Sequence, residues 1–156
     1  MSENLYFYNC SPDYFRQPND TQLESDIQKA INAEYSAISC YGQLARLAPT
    51  PDERNRILEI REDERRHYRE FLRIYTGLTG RQPASEIIEE CPGTYRDGIV
   101  FSFKDEQDAA DFYQDIADRA GNPMIKDRFR RAAADEQNHA VWFLFFIHNA
   151  QRSYMW

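Results

Sequence analysis

The stretch that decides the fold is DERRH, residues 63–67, together with its counterpart DEQNH, residues 135–139. Both stretches have the spacing Asp-Glu-x-x-His, and they lie 72 residues apart (135 − 63). A charged run on a helix usually faces solvent. The return of the same polar pattern in a different sequence context indicates instead that these residues share a structural or chemical role.

The repeat extends well beyond this motif. Shifting the chain by 72 residues (106 − 34) superimposes apolar positions as well as polar ones, which predicts one helix hairpin that has been duplicated. The matching pairs are Glu34 with Glu106, Tyr41 with Tyr113, Ala45 with Ala117, Pro51 with Pro123, Asp63 with Asp135, Glu64 with Glu136, His67 with His139, Phe71 with Phe143 and Leu72 with Leu144.

Apolar residues recur at helical spacing in four segments, and Gly and Pro separate these segments. The predicted helices cover about residues 21–47, 51–75, 102–120 and 123–150. A Gly- and Pro-containing segment with one helical turn at about 85–90 joins the second helix to the third. Short connections make antiparallel neighbours, and a long one lets the third helix start at the opposite end. The sequence therefore predicts an all-α four-helix bundle built from two antiparallel hairpins with a long crossover.

Length and charge restrict the domain organisation and the partners. With 156 residues and 42% hydrophobic composition, the chain is predicted to form one bundle domain over residues 21–156, preceded by an irregular aromatic arm over residues 1–20. The net charge of −7 argues against a nucleic-acid partner. The apolar run AVWFLFFI, residues 140–147, is too short to span a membrane, which takes about 20 residues. Its WFLFF part predicts an assembling surface, most simply that of a homodimer.

The three cysteines, Cys10, Cys40 and Cys91, contain no C-x-x-C pair. This spacing argues against a rubredoxin-type iron centre, a zinc ribbon and a disulfide framework. An odd number of cysteines fits a reducing cytosol, and the N-terminal sequence lacks the pattern of a secretory signal. We therefore expect a cytoplasmic protein in which Cys40 is a small buried thiol.

Four carboxylates are predicted to lie at one height in the bundle. Glu34 and Glu64 are equally far from the centre of the first predicted turn, and Glu106 and Glu136 are equally far from the centre of the second. Each lies about fifteen residues, or roughly 22 Å, from its turn. All four lie on the apolar stripes of their helices, so we expect the carboxylates to point inward.

Such a set of buried carboxylates needs a compensating charge. An uncompensated buried carboxylate costs several kcal/mol, whereas a domain is stable by only about 5–15 kcal/mol. Two divalent cations would balance four carboxylates and leave His67 and His139 as neutral donors. The i,i+3 spacing of each histidine with the preceding Glu places both side chains on one helix face. The pattern predicts a site for two metal ions.

One Glu from each of two helices and Glu-x-x-His from each of the other two is the ligand arrangement of the ferritin-like dimetal carboxylate bundles. Over about residues 21–150 the chain resembles this superfamily, and within it the rubrerythrin-like and bacterioferritin-like domains. The resemblance implies two iron ions, with manganese or zinc as other possible occupants. It also implies that Glu64 and Glu136 bridge the metals. The implied ligands are Glu34, Glu64 and His67, and Glu106, Glu136 and His139.

Residues beside the predicted ligands have expected roles as well. Asp63 and Asp135 are placed to accept the free N–H of the histidine on the facing helix. Tyr41 and Tyr113 lie two turns beyond Glu34 and Glu106, where they either hydrogen-bond a carboxylate or an oxidised intermediate, or simply pack in the core. His148 has no partner at ligand spacing and is expected to be a packing or surface residue.

The resemblance implies an oxidoreductase that reduces hydrogen peroxide or dioxygen, or oxidises ferrous iron. Rubrerythrins usually carry a further Glu three residues after the third-helix ligand, and this chain has Ala109 there and Ala37 at the tandem position. Together with the missing rubredoxin cysteines, this departure leaves the electron donor unidentified. The alternative is a metal-stabilised structural or assembly protein, such as a coat-like component, which performs no turnover.

Overall fold

Residues 20–152 are described by the computed structural model of the chain, and they form an all-helical bundle. Helix α1 spans Thr21–Leu47, α2 spans Pro51–Thr79, α3 spans Tyr95–Arg119 and α4 spans Pro123–Arg152. The predicted four-helix architecture is confirmed over this range. The predicted aromatic arm up to residue 19 and the last residues, 153–156, lie outside the described residues.

Each helix begins at a side chain that accepts a hydrogen bond from the first turn. Asp20 caps α1 through the backbone N–H of Leu23 at 2.9 Å, and Thr50 and Thr94 cap α2 and α3 in the same way at 3.2 Å. Asn122 accepts from two backbone N–H groups at the start of α4. These residues satisfy donors that have no partner inside the helix, and they fix three of the four starts close to the predicted positions.

The helices pair as two hairpins that meet face to face. Helix α1 packs along α2 and α3 along α4, while α1–α3 and α2–α4 contacts join the hairpins. Tyr41 on α1 hydrogen-bonds Glu106 on α3, and Tyr113 on α3 hydrogen-bonds Glu34 on α1. The earlier residue of one helix thus lies beside the later residue of the other, so α1 and α3 run in opposite directions. The two hairpins are therefore antiparallel where they meet, as a long crossover requires.

Helix α3 starts at Tyr95, seven residues (102 − 95) before the predicted start. The sequence CPGTYRDG resembles a turn, but Gly98 lies inside the helix and is buried. A Cβ atom at Gly98 would lie 2.2 Å from Leu44 Cδ2. This glycine therefore serves the close approach of α1 and α3 rather than a turn, and the prediction of a later start is wrong.

The crossover, residues 80–94, contains no helical turn, so the turn predicted at 85–90 is wrong. Two polar side chains of α1 bind the backbone of this segment instead. The N–H of Glu86 donates to Asn32 Oδ1 at 3.1 Å, and the N–H of Ile88 donates to Ser36 Oγ at 3.0 Å. The crossover thus runs along the outside of α1, and its backbone donors are not available for a helix.

A disulfide joins Cys40 on α1 to Cys91 in the crossover, with their Cα atoms 5.0 Å apart. The prediction of a free buried thiol at Cys40, and of a chain without a disulfide, is wrong. Spacing alone does not reveal this pair, since the cysteines are 51 residues apart and are brought together only by the path of the crossover along α1. Cys10 lies outside the described residues.

The apolar core is divided into two clusters by a layer of buried charge. One cluster contains Ile27, Ile31, Phe71, Tyr113 and Phe129, and the other contains Tyr41, Leu44, Ile57, Ile99 and Phe143. Between them lie the buried glutamates and histidines of the helix centres, each no more than 2% exposed. The layer is tolerated only if its charges compensate one another or bind cations.

The apolar run of α4 is part core and part surface. Phe143 and Phe146 are buried, whereas Val141, Leu144 and Phe145 are 64%, 50% and 50% exposed. None of the helices within residues 20–152 combines the length and the hydropathy that are needed to cross a membrane.

We predict that the disulfide contributes substantially to stability. Replacing both cysteines (Cys40→Ser, Cys91→Ser) should lower the free energy of unfolding by about 2–4 kcal/mol, because the bond restricts a long loop in the unfolded chain. Urea unfolding followed by far-UV circular dichroism measures this difference. A thiol reductant should lower the urea midpoint of the native protein but not that of the double variant. Equal midpoints for both proteins would contradict the prediction.

Candidate metal centre

All six side chains predicted as metal ligands are buried and lie together in the central layer. They form two overlapping groups, and within each group one ligand atom per residue lies within 4.8 Å of the others. The groups share Glu64 and Glu136, the two residues expected to bridge. His148 is exposed and belongs to neither group. The first group is Glu34, Glu64, His67 and Glu136, and the second is Glu64, Glu106, Glu136 and His139.

The polar atoms at the centre lie close together, but three of them lack a hydrogen bond of good geometry. His67 Nδ1 lies 2.9 Å from Glu136 Oε1, and His139 Nδ1 lies 2.8 Å from Glu64 Oε1. Even so, Glu64 Oε1, His67 Nδ1 and Glu136 Oε1 are buried without a hydrogen-bond partner. Buried polar atoms normally have partners. Imidazole and carboxylate donors in this arrangement fit divalent iron, manganese or zinc, so the residues present fit a pair of metal ions.

The second nitrogen of each histidine is bound by an aspartate of the facing helix. His67 Nε2 lies 3.0 Å from Asp135 Oδ2, and His139 Nε2 lies 3.0 Å from Asp63 Oδ2. A carboxylate partner assigns the proton to Nε2, which leaves the Nδ1 lone pair directed at the centre. The two aspartates therefore fix the orientation of the imidazoles, with Nδ1 directed at the centre.

Arg66 joins these two aspartates, and sequence reasoning missed it. Its Nη1 lies 2.6 Å from Asp63 Oδ1, and its Nη2 lies 2.9 Å from Asp135 Oδ2. The repeat gives no indication of this role, because the corresponding residue of the second hairpin is Asn138. The available signal is the i,i+3 spacing of Arg66 from Asp63, which is also typical of an ordinary surface pair.

Tyr41 and Tyr113 have both of the roles considered from the sequence. Tyr41 donates its hydroxyl to Glu106 Oε1, and Tyr113 donates to Glu34 Oε1 at 2.7 Å. Their rings also pack in the core, and that of Tyr41 has its centroid 5.2 Å from Phe143. Burial and the adjacent carboxylates raise the pKa of both tyrosines well above the ordinary value, so both hydroxyls remain donors.

The hydrogen bonds around the centre are related by the internal repeat. The Tyr41–Glu106 bond corresponds to the Tyr113–Glu34 bond when the two halves of the repeat, 72 residues apart, are exchanged. The same exchange relates the His67–Asp135 bond to the His139–Asp63 bond. All four bonds connect one hairpin to the other. The centre is therefore an interface between the two halves of the chain.

The charge state of the centre depends on burial and on the neighbouring carboxylates. Burial, followed by the charges of Glu64 and Glu136, raises the pKa of Glu34 and of Glu106 well above the ordinary range. Burial also raises the pKa of Glu64, but His139 and His67 lower it to a net value below normal. Without cations, protons on the outer glutamates and on the imidazoles would balance the layer. Two divalent cations would displace these protons, since metal ligands bind in the deprotonated form.

A small cavity of about 10 Å³ lies beside the carboxylates, between α1 and α3. This volume is close to the smallest that holds one water molecule. Ala33, Ala37 and Ala109 line it together with Tyr41, Tyr113 and the glutamates. Ala37 and Ala109 occupy the positions where the rubrerythrin pattern has, or would repeat, a further Glu. Their small side chains leave this cavity beside the carboxylates, where a Glu would fill it.

Asp105 also lines this cavity, and sequence reasoning missed it as well. It lies on the wall of a second cavity, which is lined by Glu89 and Cys40 among others. Burial, followed by the charges of Glu89 and Asp108, raises the pKa of Asp105 to about 7. The repeat hides this residue, because its counterpart in the first hairpin is Ala33. Asp105 separates the central cavity from the crossover side of the bundle.

Comparison with known proteins agrees with this geometry. The Rubrerythrin family model matches residues 97–154, which include Glu106, Glu136 and His139. Uncharacterized protein YhjR of Bacillus subtilis (strain 168) is 46% identical over 142 residues, covering 91% of this chain and 97% of that protein.

The chain belongs to the rubrerythrin family. A solved structure of a hypothetical protein from Pyrococcus furiosus has the same fold, with a TM-score of 0.71 and 22% sequence identity over 83% of this chain and 90% of that chain. Within the rubrerythrin family, this chain has an equivalent Glu and Glu-x-x-His set in each half.

We predict that the aspartates tune metal affinity. Replacing Asp135 with alanine should weaken binding at the centre by about 10–100-fold, because the His67 ring loses the partner that orients it. Competition of ferrous or cobaltous ion against a chelator of known affinity measures this change. Asp127→Ala, an exposed position on the same helix, removes the same charge and should leave the affinity unchanged. Equal losses in both variants would show that charge alone matters and would refute the orienting role.

Proposed function

We propose that the chain is a diiron oxidoreductase that reduces hydrogen peroxide or dioxygen, or acts as a ferroxidase on ferrous iron. The observation that carries the proposal is the buried set of one Glu and one Glu-x-x-His in each half, which fits two metal ions, in a chain that matches the Rubrerythrin family over residues 97–154. The same donors accommodate manganese or zinc, and two iron ions are proposed as the native occupants.

In this proposal the carboxylates would hold the two metal ions and balance their positive charge. Glu64 and Glu136, which both groups share, would be held in common by the two ions. Glu34 with His67 would hold one ion, and Glu106 with His139 would hold the other. Tyr41 and Tyr113 hold Glu106 and Glu34 in place from the opposite hairpin. Two bound ferrous ions would supply two electrons, which with two protons reduce one hydrogen peroxide to two water molecules.

The surrounding residues restrict what reaches the centre. The cavity beside the carboxylates is small and the apolar clusters on both sides exclude bulk water, so only a small molecule would have access to the centre. Asp105 adds a carboxyl group on the cavity wall that is outside the proposed ligand set, so its carboxylate oxygens are placed to exchange a proton with the product. Because the sequence has no rubredoxin cysteines, re-reduction falls to a separate electron donor.

A cytoplasmic location remains part of the proposal. The Cys40–Cys91 bond bears on it, because disulfides are rare in a reducing cytosol outside catalytic and redox-sensing proteins. The bond therefore counts against this part of the proposal.

The second candidate is a metal-stabilised assembly protein without turnover. It is favoured by the exposed face of α4, where Val141, Leu144 and Phe145 are at least half exposed at i, i+3 and i+4 spacing. Exposed apolar faces of this kind often mark association surfaces. The same face supports the proposal of a homodimer, which is compatible with either function.

The two functions are separated by loading the protein with two ferrous equivalents under anaerobic conditions and then mixing it with peroxide or dioxygen. An oxidoreductase should give a rapid change in visible absorption. A faster change with peroxide than with dioxygen indicates peroxide reduction, and a faster change with dioxygen indicates ferroxidase activity. The variant Glu64→Ala, Glu136→Ala should bind little metal and give no change. The variant Glu59→Ala, Glu62→Ala, with two exposed positions on α2, is the matched control. A native protein that holds two metals but is inert to both oxidants would refute the oxidoreductase and support the assembly protein.

The homodimer is tested by light scattering at micromolar concentration. Leu144→Glu places a charge in the exposed apolar face and should convert a dimer into a monomer. Asn55→Glu, at an exposed position on α2, adds the same charge elsewhere and should leave the dimer intact. A native protein that is monomeric throughout this range would exclude the proposed dimer.

A further inference from the structure

A groove with a volume of about 460 Å³ lies between α1 and α2. None of its lining residues belongs to the predicted metal ligands. Its floor is apolar or backbone and its charged groups are all guanidinium groups. The lining residues are Gly42, Ala45, Arg46, Arg54, Leu58 and Arg61.

Two of the arginines are held in position by backbone carbonyl groups of α1. Arg61 donates its Nε–H to the carbonyl of Ile38 at 2.8 Å, and Arg54 donates its Nε–H to the carbonyl of Ala45 at 3.2 Å. Donors and acceptors are both seven residues apart (61 − 54 and 45 − 38), so the same contact recurs two helical turns along the hairpin. Because these bonds use only Nε, no other residue in the range 20–152 occupies the terminal amino groups of either guanidinium, and they are directed to a ligand.

Gly42 makes room for the Arg61 contact. A Cβ atom at this position would lie 3.2 Å from Arg61 Cζ and 3.2 Å from its Nη2. Glycine is unfavourable inside a helix compared with alanine, so its presence in the middle of α1 calls for a structural reason. The reason is the guanidinium of Arg61, which lies directly against the helix backbone.

The described residues do not neutralise the positive charge of the groove. Within residues 20–152, Arg46, Arg54 and Arg61 form no salt bridge with a carboxylate, although the chain has 26 acidic and 19 basic residues. By contrast, Arg65 on the same helix pairs with Glu62 at 2.5 Å. Burial, followed by the charge of Arg65, lowers the pKa of Arg61. A bound anion would relieve this repulsion.

We propose that the groove binds a small anionic ligand through its phosphate or carboxylate group, which is held by the guanidinium groups of Arg54 and Arg61 with Arg46 at the rim. Guanidinium groups bind phosphate and carboxylate through bidentate hydrogen bonds. Leu58 and Ala45 offer an apolar surface to the carbon part of such a ligand. The site is separate from the metal centre and is expected to bind its ligand whether or not metal is present.

The test is isothermal titration calorimetry of the 156-residue chain with inorganic phosphate, pyrophosphate and succinate at constant ionic strength. At least one anion should bind in a saturable manner with one site per chain. A preference for the phosphates identifies a phosphoryl ligand, and a preference for succinate identifies a carboxylate ligand. Arg54→Gln and Arg61→Gln should each weaken binding by about tenfold or more, since a hydrogen-bonded charge pair is lost.

Two further variants separate the groove from general charge and from the metal centre. Gly42→Ala should weaken binding without removing a charge, because it displaces the Arg61 guanidinium. Arg69→Gln removes a charge at an exposed position of α2 outside the groove and should have no effect. The variant Glu64→Ala, Glu136→Ala should bind the anion as well as the native protein does. Circular dichroism checks that each variant is folded. The absence of saturable binding for all three anions, or equal losses in Arg69→Gln and Arg61→Gln, would overturn the proposal.

Discussion

Four carboxylates in a water-excluded layer constrain the whole bundle, since such a layer is stable only when protons or cations neutralise it. The constraint determines which residues surround the glutamates. Tyr41 and Tyr113 supply neutral donors, the imidazoles supply nitrogen atoms, and the aspartates hold the imidazoles by their outer edges. The apolar clusters on either side exclude the water that would otherwise solvate the charge. Metal binding and bundle stability are thus parts of one electrostatic problem.

The features that the sequence predicts well are those that follow from periodicity and repetition. The inward positions of Glu34, Glu64, Glu106 and Glu136 follow from their place on apolar stripes, and their common height follows from equal distances to the turns. A helical stripe fixes the face on which a residue lies, and a short turn fixes its register. The meeting of all four glutamates in two antiparallel hairpins can therefore be predicted without information on any other contact.

The features that sequence reasoning misses depend on where an irregular segment runs or on a role that only one half of the chain has. The Cys40–Cys91 bond and the bonds from Asn32 and Ser36 arise because the crossover follows α1, which no local pattern specifies. Gly98 reads as a turn, yet it allows two helices to approach. The internal repeat does not predict the roles of Arg66 and Asp105, because the corresponding residues of the other half are Asn138 and Ala33.

The hydrogen bonds at the centre have a consequence for the history of such a chain. Each tyrosine and each histidine of one half bonds a carboxylate of the other half, so neither half can complete the arrangement by itself. A peptide half as long would be able to build the same centre by pairing with an identical copy of itself. Gene fusion would then make the pairing permanent and free each half to diverge, as Arg66 and Asp105 show.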